Sequence, residues 1–329
     1  MDPLRIIFMG TPEFAVPSLQ ILIDNGYKVV AVITAVDKPK GRGRKLMPSP
    51  VKEVALKNHI PVLQPKNLKD PQFVEELRSY KANLQVVVAF RMLPQVVWDM
   101  PEIGTFNLHA SLLPHYRGAA PIHWAIINGA KETGVTTFFL KQEIDTGNIA
   151  LQEKVPIYDD DTTGSLYERL KQKGAQLVHK TVQLVEKGDY QLTPQDLTSD
   201  LPKAPKIFRE HCEIDWRKSA EEIRNLVRGL NPQPGAWTTV KGTVYKILAV
   251  DVLEKDLPET PDIPDNPDTP GISGSSGSSS SSDQPGTFYT DARTYLHFHT
   301  GKGQVAVKIL QAPGKRPMDI EDYLRGNEL

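Results

Sequence analysis

A Rossmann-like, doubly wound α/β sheet followed by a small β domain is the fold class that this 329-residue sequence predicts. Three observations carry the prediction. Short apolar runs alternate with stretches of helical apolar spacing as far as Lys187, and runs apolar on both faces belong to parallel strands covered by helices on each side. Beyond Ala236, strand-like runs follow one another with only Gly or Asp turns between them. Between the two regimes lies a polar stretch from Asp189 to Lys206, punctuated by Pro194, Pro202 and Pro205, which reads as a linker. The expected division is therefore 1–188, a linker at 189–207, and 208–329.

Taken in order, Leu4 to Met9 is a short apolar run ending at Gly10-Thr-Pro12, and Ala15 to Ile23 then has the spacing of a helix. Lys28 to Thr34 is rich in β-branched residues, Leu84 to Phe90 is continuously apolar, and Gly104 to His109 and Val135 to Leu140 suit short strands. Asp70 to Tyr80, Pro121 to Asn128 and Thr162 to Lys187 read as helices. Ligands of such sheets bind beyond the carboxyl ends of the strands, which points to the ends near Phe90 and His109 and to the loop at Asp145. In the second part a helix from Ser219 to Leu230 stops at Asn231-Pro-Gln-Pro-Gly235. Strands are expected at Ala236–Val240, Thr243–Leu253, Phe288–Thr290, Thr294–His299 and Gln304–Gln311. Periodicity alone specifies a small β domain; five such strands fit a small barrel of the OB type. Residues 256–286 interrupt it with Pro repeats, Ser273-Gly-Ser-Ser-Gly277 and five further serines. That composition has little apolar surface to offset the entropy of ordering, so an unpacked insertion is expected.

With 39% hydrophobic residues the chain can bury a substantial core. Its single cysteine, Cys212, excludes an internal disulfide and any multi-cysteine metal site, and suits a reducing compartment. No stretch approaches the roughly 20 continuous apolar residues of a membrane span, and the amino end lacks the basic region and apolar core of a signal peptide. A cytoplasmic location is the expectation. The formal net charge is −1, but six acids and no Lys or Arg fall within 256–286. The remainder therefore carries a formal charge of +5, mildly basic.

The densest chemistry lies in Asn107-Leu-His109-Ala-Ser111-Leu112-Leu113-Pro114-His-Tyr-Arg117-Gly118, with Asp145-Thr-Gly147 downstream. Side chains two apart on a strand share a face, so Asn107 and His109 can converge on one substrate atom. A carboxamide can hydrogen-bond a developing oxyanion, and an imidazole can move a proton near neutral pH. Asp145, from a second strand end, can orient the imidazole or bind water. A lone strand histidine is more often packed than catalytic, and Asp-Thr-Gly is usually a turn. Aspartic proteases need two facing carboxylates, and only one Asp-Thr-Gly occurs here. Together the three residues describe a site for acyl transfer to an amine.

The segment Asn107 to Pro114, with Asp145-Thr-Gly147, resembles the signature of the folate-dependent formyltransferases. The run Arg117-Gly-Ala-Ala-Pro121-Ile narrows the resemblance to members acting on methionyl-tRNA. Further matching pieces span nearly the whole chain: Gly10-Thr-Pro-Glu-Phe14-Ala, Gly41 to Pro50, Ala204-Pro-Lys206-Ile, and Gly314-Lys-Arg-Pro-Met318 before Asp322-Tyr-Leu-Arg-Gly326. The resemblance implies transfer of a formyl group from 10-formyltetrahydrofolate to the α-amino group of methionine esterified to initiator tRNA, by a monomer and without a metal. It supports an OB-like, tRNA-binding second domain. Asn107 is then the oxyanion donor and His109 the proton carrier, helped by Asp145. Ser111, Leu112, Leu113 and Pro114 shape the folate pocket with Phe90, Met92 and Leu93, and Phe14, Arg117 and Gly118 stand nearby. The chain departs from the family at Arg91, where many relatives carry glycine.

Lys38-Pro-Lys40-Gly-Arg42-Gly-Arg44-Lys45 packs five cations into eight residues around two glycines. Such a loop is commonly a solvated turn, but the matching family loop implies contact with tRNA phosphates and a base edge. A formyltransferase acting on an amino sugar nucleotide or glycinamide ribonucleotide is the nearest rival, and a catalytically inactive tRNA-binding protein is a second. The basic loop and β-rich second domain favour tRNA over a small amine. The intact Asn107, His109 and Asp145 favour an enzyme.

Overall fold

Six residues of the run Arg5–Gly10 form strand β1, and all but Arg5 are buried. In this computed structural model, which describes residues 3–40, 45–143, 145–198, 200–253 and 284–327, β1 is an interior strand of a seven-stranded sheet. After it come helix α1 (Val16–Asp24), β2 (Lys28–Ile33), a hairpin of β3 (Lys38–Lys40) and β4 (Lys45–Met47), α2 (Pro50–Lys57) and β5 (Val62–Leu63). Helix α3 (Pro71–Ser79), β6 (Leu84–Val88), α4 (Gln95–Trp98), β7 (Gly104–His109), a short β8 (Arg117–Gly118) and α5 (Pro121–Ile127) follow. Strands β9 (Glu132–Phe139) and β10 (Ile149–Pro156), helix α6 (Thr163–Lys187) and β11 (Lys203–Ala204) complete this part. The sheet order is β10-β9-β7-β6-β1-β2-β5.

Strands β5, β2, β1, β6 and β7 run parallel to one another, as their continuous apolar runs predict. Strand β9 differs, running antiparallel to β7 and β10. Seven of its eight residues are buried, and two-faced burial carries no information about strand direction. The chain leaves β1 toward β2 on one side and reaches β6 and β7 on the other. That reversal of strand order opens a crevice at the carboxyl ends of β1 and β6.

Helix α6 is the longest cover of the sheet. Thr162 caps its first turn by accepting from the Ser165 amide, and Gly188 ends it in a left-handed conformation. Its close approach depends on Gly174, where a Cβ atom would lie 2.6 Å from Leu108 Cδ2. Leu108 therefore faces α6, and Asn107 and His109, of opposite parity, lie on the other face. There Asn107 is level with Val87 and Met9, two residues of the core that Phe73, Val74 and Leu77 of α3 complete.

Two compact units are present, Met1–Ala125 with Ala130–Lys206, and Ile126–Gly129 with Ile207–Leu329. The segment expected as a linker is held on the first unit. Tyr190 stacks on Phe139 at 5.6 Å, Thr193 and Ile149 exchange backbone hydrogen bonds of 2.8 and 2.9 Å, and β11 pairs in parallel with β8. Backbone groups make most of these ties, and they leave no pattern in a proline-rich sequence.

In the second unit α7 (Ala220–Gly229) precedes β12 (Ala236–Val240), β13 (Thr243–Leu253), β14 (Phe288–Thr290), β15 (Leu296–His299), β16 (Gln304–Gln311), β17 (Met318–Asp319) and α8 (Ile320–Leu324). Ser219 and Glu222 form a capping box at the start of α7. Its Ile223 and Val227 enter a core with Ile247, Phe298, Leu310 and Tyr323. The sheet order is β12-β13-β16-β15-β14 with β17 on β16, all antiparallel. Two register shifts near Ala249 bend the eleven-residue β13 so that it serves both β12 and β16. Among the described residues this path does not close, so the domain is a curled half-barrel. Strand β15 begins at Leu296, later than expected, because the Asp291 carboxylate accepts from the amides of Arg293, Thr294 and Tyr295 and holds them in a turn. The expected insertion lies outside the described residues as far as 283.

Candidate active site

Gly10 pairs with Val88 and Val88 with Leu108, so three parallel strands end together at one edge of the sheet. Asn107 and His109 flank that row. Asn107 is half-buried, and its carboxamide makes no hydrogen bond among the described residues. It is held by the strand alone, with its donor free for another molecule.

His109 is 6% exposed, and its Nε2 lies 2.9 Å from the carbonyl oxygen of Tyr116. A carbonyl can only accept, so Nε2 carries the proton and the Nδ1 lone pair has no partner among the described residues. The imidazole is thus oriented with its basic nitrogen unengaged. Asp145 makes no hydrogen bond to His109; its Oδ2 accepts from the Gly118 amide at 3.2 Å. His109 and Asp145 are tied to the same loop two residues apart, at Tyr116 and Gly118. In place of the direct contact that the sequence allowed, the backbone of this loop relates them.

The loop that does this is built inward. The Ser111 hydroxyl donates to the His115 carbonyl at 2.6 Å, which occupies its proton and leaves it a structural role. Thr136 Oγ1, fully buried on β9, donates to the Ser111 carbonyl at 2.6 Å and accepts from the Leu113 amide at 3.2 Å and from Gln152 Nε2 at 3.0 Å. One hydroxyl with one donation and two acceptances is fully satisfied. Gln152 also donates to the Leu113 carbonyl at 2.8 Å. Leu113 is buried, while Leu112 and Pro114 are half-buried. Gly118 adopts φ +125, and a Cβ there would lie 2.4 Å from the Ala204 carbonyl oxygen. Only glycine fits that approach. Arg117 beside it is half-buried.

The other expected residues are dispersed along the same edge. Phe90 and Leu93 pack on the α3 side core, whereas Met92 is 74% exposed. Arg91 donates to the carbonyls of Pro65 and Lys66, closing the turn after β6. Phe14 is buried edge-on against Tyr167, with ring centroids 5.2 Å apart. The Glu13 next to it pairs with the buried Lys171 at 3.1 Å. Among the described residues no group of three or more His, Cys, Asp or Glu is placed to hold a metal ion.

Strand β2 ends on this edge too, and the β3–β4 hairpin rises from its carboxyl end. Its base is fixed by Asp37, which pairs with Lys52 at 2.7 Å and accepts from Gln64 at 2.8 Å. Hydrogen bonds from Lys52 and then Gln64 hold the Asp37 carboxyl below the usual carboxylate range. Lys38 is exposed; Lys40 pairs with Lys45 across the hairpin; Arg42 and Arg44 lie outside the described residues. Leu46 at 69% and Met47 at 44% exposure give the hairpin an apolar flank that charge counting missed. Sequence reasoning also missed Tyr116, Thr136, Gln152 and Gln195. The last donates from Nε2 to the carbonyls of Asp145 and Gly147. Thr136 stands opposite His109 in the strand register, a pairing that the sequence does not announce.

Two family models match this chain, "Formyl transferase" over residues 4–182 and "Formyl transferase, C-terminal domain" over 206–328. The methionyl-tRNA formyltransferase of Bacteroides fragilis is 45% identical over 332 residues, covering 100% of this chain and 96% of the relative. That of Azobacteroides pseudotrichonymphae is 47% identical over 331 residues, covering 98% and 96%. Among solved structures, the N-formyltransferase from Helicobacter canadensis in complex with folinic acid and dTDP-3-aminofucose superposes with a TM-score of 0.63 at 21% identity, covering 92% of this chain and 98% of that one. HypX from Aquifex aeolicus in complex with tetrahydrofolic acid gives 0.59 at 19% identity, covering 96% and 46%. At such identities the structural likeness bears on the fold alone.

Proposed function

The chain belongs to the formyl transferase family, and from that premise we propose that it transfers the formyl group of 10-formyltetrahydrofolate to the α-amino group of methionyl initiator tRNA, for translation initiation. The observation that carries this reading is identity of about 45% with methionyl-tRNA formyltransferases over essentially the full length of both chains. Formyltransferases of amino sugars share the fold at about 20% identity, which gives their substrates no comparable support. On this reading the enzyme acts as a monomer in the cytoplasm. Among its described residues no helix is long and apolar enough to cross a membrane.

The folate supplies the formyl group, and the chain supplies its placement and the proton traffic. Asn107 donates to the formyl oxygen as it gains negative charge during attack by the amine, a contact available because the carboxamide has no partner among the described residues. The α-amino group, with an ordinary pKa near ~8, is partly neutral around pH 7. As the amine adds, His109 Nδ1 takes its proton while the Tyr116 carbonyl holds Nε2–H and fixes the ring. The same imidazole can return the proton to the departing folate nitrogen. Asp145, held at one oxygen by Gly118, keeps lone pairs to accept from the amine or from water. Ser111 to Pro114, with Phe90, Met92 and Leu93, border the pteridine site, and Phe14, Arg117 and Gly118 lie beside the amine. Lys38, Lys40, Arg42, Arg44 and Lys45 track tRNA phosphates, and the β-rich second unit holds the rest of the tRNA.

Radiolabelled 10-formyltetrahydrofolate offered with methionyl initiator tRNA, an amino sugar nucleotide or glycinamide ribonucleotide tests the reading. Label should enter the tRNA at least ~100-fold more efficiently than either small amine. Preferential labelling of a small amine would overturn it, and labelling of none would favour an inactive tRNA-binding protein.

A further inference from the structure

Asp145 occupies a turn in the left-handed region, with φ +55. Aspartate tolerates that conformation better than most residues, yet it holds only where the surroundings fix it. The fixing group comes from the segment that looked like a linker. Gln195 Nε2 donates to the Asp145 carbonyl at 2.9 Å and to the Gly147 carbonyl at 2.8 Å, so both amide protons grip the turn. Turning the amide over would place Oε1 against two carbonyl oxygens, so the neighbours decide its orientation. In this orientation Oε1 is buried with no partner among the described residues. An unmet buried acceptor is unfavourable, and such groups tend to be retained where a function requires them.

The ties of the same segment do not stop there. Thr193 bridges to Ile149 just before Gln195. Farther along, the Pro202 carbonyl accepts from the Tyr116 amide at 2.6 Å and the Ala204 carbonyl from the Ala120 amide at 3.1 Å. One strap therefore fixes the Asp145 turn at one end and the Tyr116–Gly118 stretch at the other. These are the two pieces of backbone that meet where Gly118 donates to Asp145, and Tyr116 is the residue that orients His109. We propose that Gln195 is a positioning residue for formyl transfer, holding the Asp145 carboxylate in register with His109 by gripping the carbonyls on either side of Thr146.

This inference rests on the formyl-transfer reading of the site, and its test separates the two. Steady-state kcat and both KM values would be measured for the wild type, Gln195→Ala, Asp145→Asn and the double variant, with circular dichroism and thermal unfolding on each. Gln195→Ala should lower kcat about 10- to 30-fold, the equivalent of two ordinary hydrogen bonds, and leave both KM values within about 3-fold. In the Asp145→Asn background the same change should cost less than about 2-fold, because it acts through Asp145. Gln195→Glu keeps the shape. Protonated, it can donate one hydrogen bond; ionised, it repels both carbonyls, so its rate relative to wild type should fall as pH rises, while the Gln195→Ala ratio stays level. Full kcat in folded Gln195→Ala, or equal losses in both backgrounds, overturns the proposal. Should Gln195→Ala fail to fold, a level pH ratio for Gln195→Glu overturns it. Absence of transfer by the wild-type protein overturns the formyl-transfer reading, and this proposal with it.

Discussion

Thr136→Val removes one oxygen atom from the buried face of β9 and replaces it with a methyl group of nearly the same size. The structure assigns that oxygen a donation to the Ser111 carbonyl and acceptances from the Leu113 amide and Gln152. Gln152 keeps its second partner, the Leu113 carbonyl. The Ser111 carbonyl and the Leu113 amide lose this partner inside residues that are 0% and 3% exposed. Each orphaned buried group costs about 1–3 kcal/mol, partly offset by the better burial of a methyl, so a net loss of about 2–4 kcal/mol is expected. The loosened Ser111–Pro114 turn leads directly to Tyr116, whose carbonyl sets the imidazole of His109. A displacement of about 1 Å there can cost up to ~100-fold in rate, and we expect kcat to fall at least ~10-fold. The control is the neighbouring Thr137→Val, whose hydroxyl meets Thr181 of α6 on the opposite face at 2.8 Å. It should lose stability and keep kcat. Urea unfolding and formylation kinetics on both variants provide the comparison. Equal kcat in the two would refute the claim that Thr136 shapes the site.

Three further outcomes follow from the charged groups. Burial acts to raise the Asp161 carboxyl, but hydrogen bonds from Arg169, Ser165 and the Tyr158 amide outweigh it and leave the pKa below the ordinary value. A folded-state pKa below the unfolded one stabilises above about pH 4 and loses that contribution as pH falls through the folded value; Asp161→Asn should therefore flatten the acid limb of the stability profile, and an unchanged limb would contradict this. Arg42→Ala should cost more with initiator than with elongator methionyl-tRNA, by about 1–3 kcal/mol in formylation efficiency, if it makes a forked contact to a base. Changing Lys38 and Lys40 to Ala should weaken binding of both tRNAs alike and reduce its salt dependence. An equal loss on both tRNAs for Arg42→Ala would leave it as a phosphate contact.

Much of this architecture was legible because the features involved are written in side chains. The apolar run at β1 and the helix starts at Thr162 and Ser219 each put a residue type where the structure uses it. What stayed hidden is carried by backbone. The direction of β9 depends on pairing with β7 that its two-faced burial does not encode. The Tyr116 carbonyl that orients His109 exists in every residue type, so no sequence pattern announces it. The strap from Tyr190 to Ala204 looked like a linker because Pro, Asp and Thr dominate it, while its attachments are largely main-chain hydrogen bonds. Gln195 is the exception, a side chain with a specific role, and a single glutamine in a polar stretch gives no local signal.

The central claim, that the carboxyl-end crevice performs formyl transfer through His109 and Asn107, meets its most direct test in single-turnover transfer from 10-formyltetrahydrofolate to saturating methionyl initiator tRNA. His109→Ala and Asn107→Ala should each slow that step at least ~100-fold. Asn107 gives up no side-chain hydrogen bond among the described residues, so the far-ultraviolet circular dichroism of its variant should match the wild type. Near-wild-type single-turnover rates in folded His109→Ala protein would contradict the account.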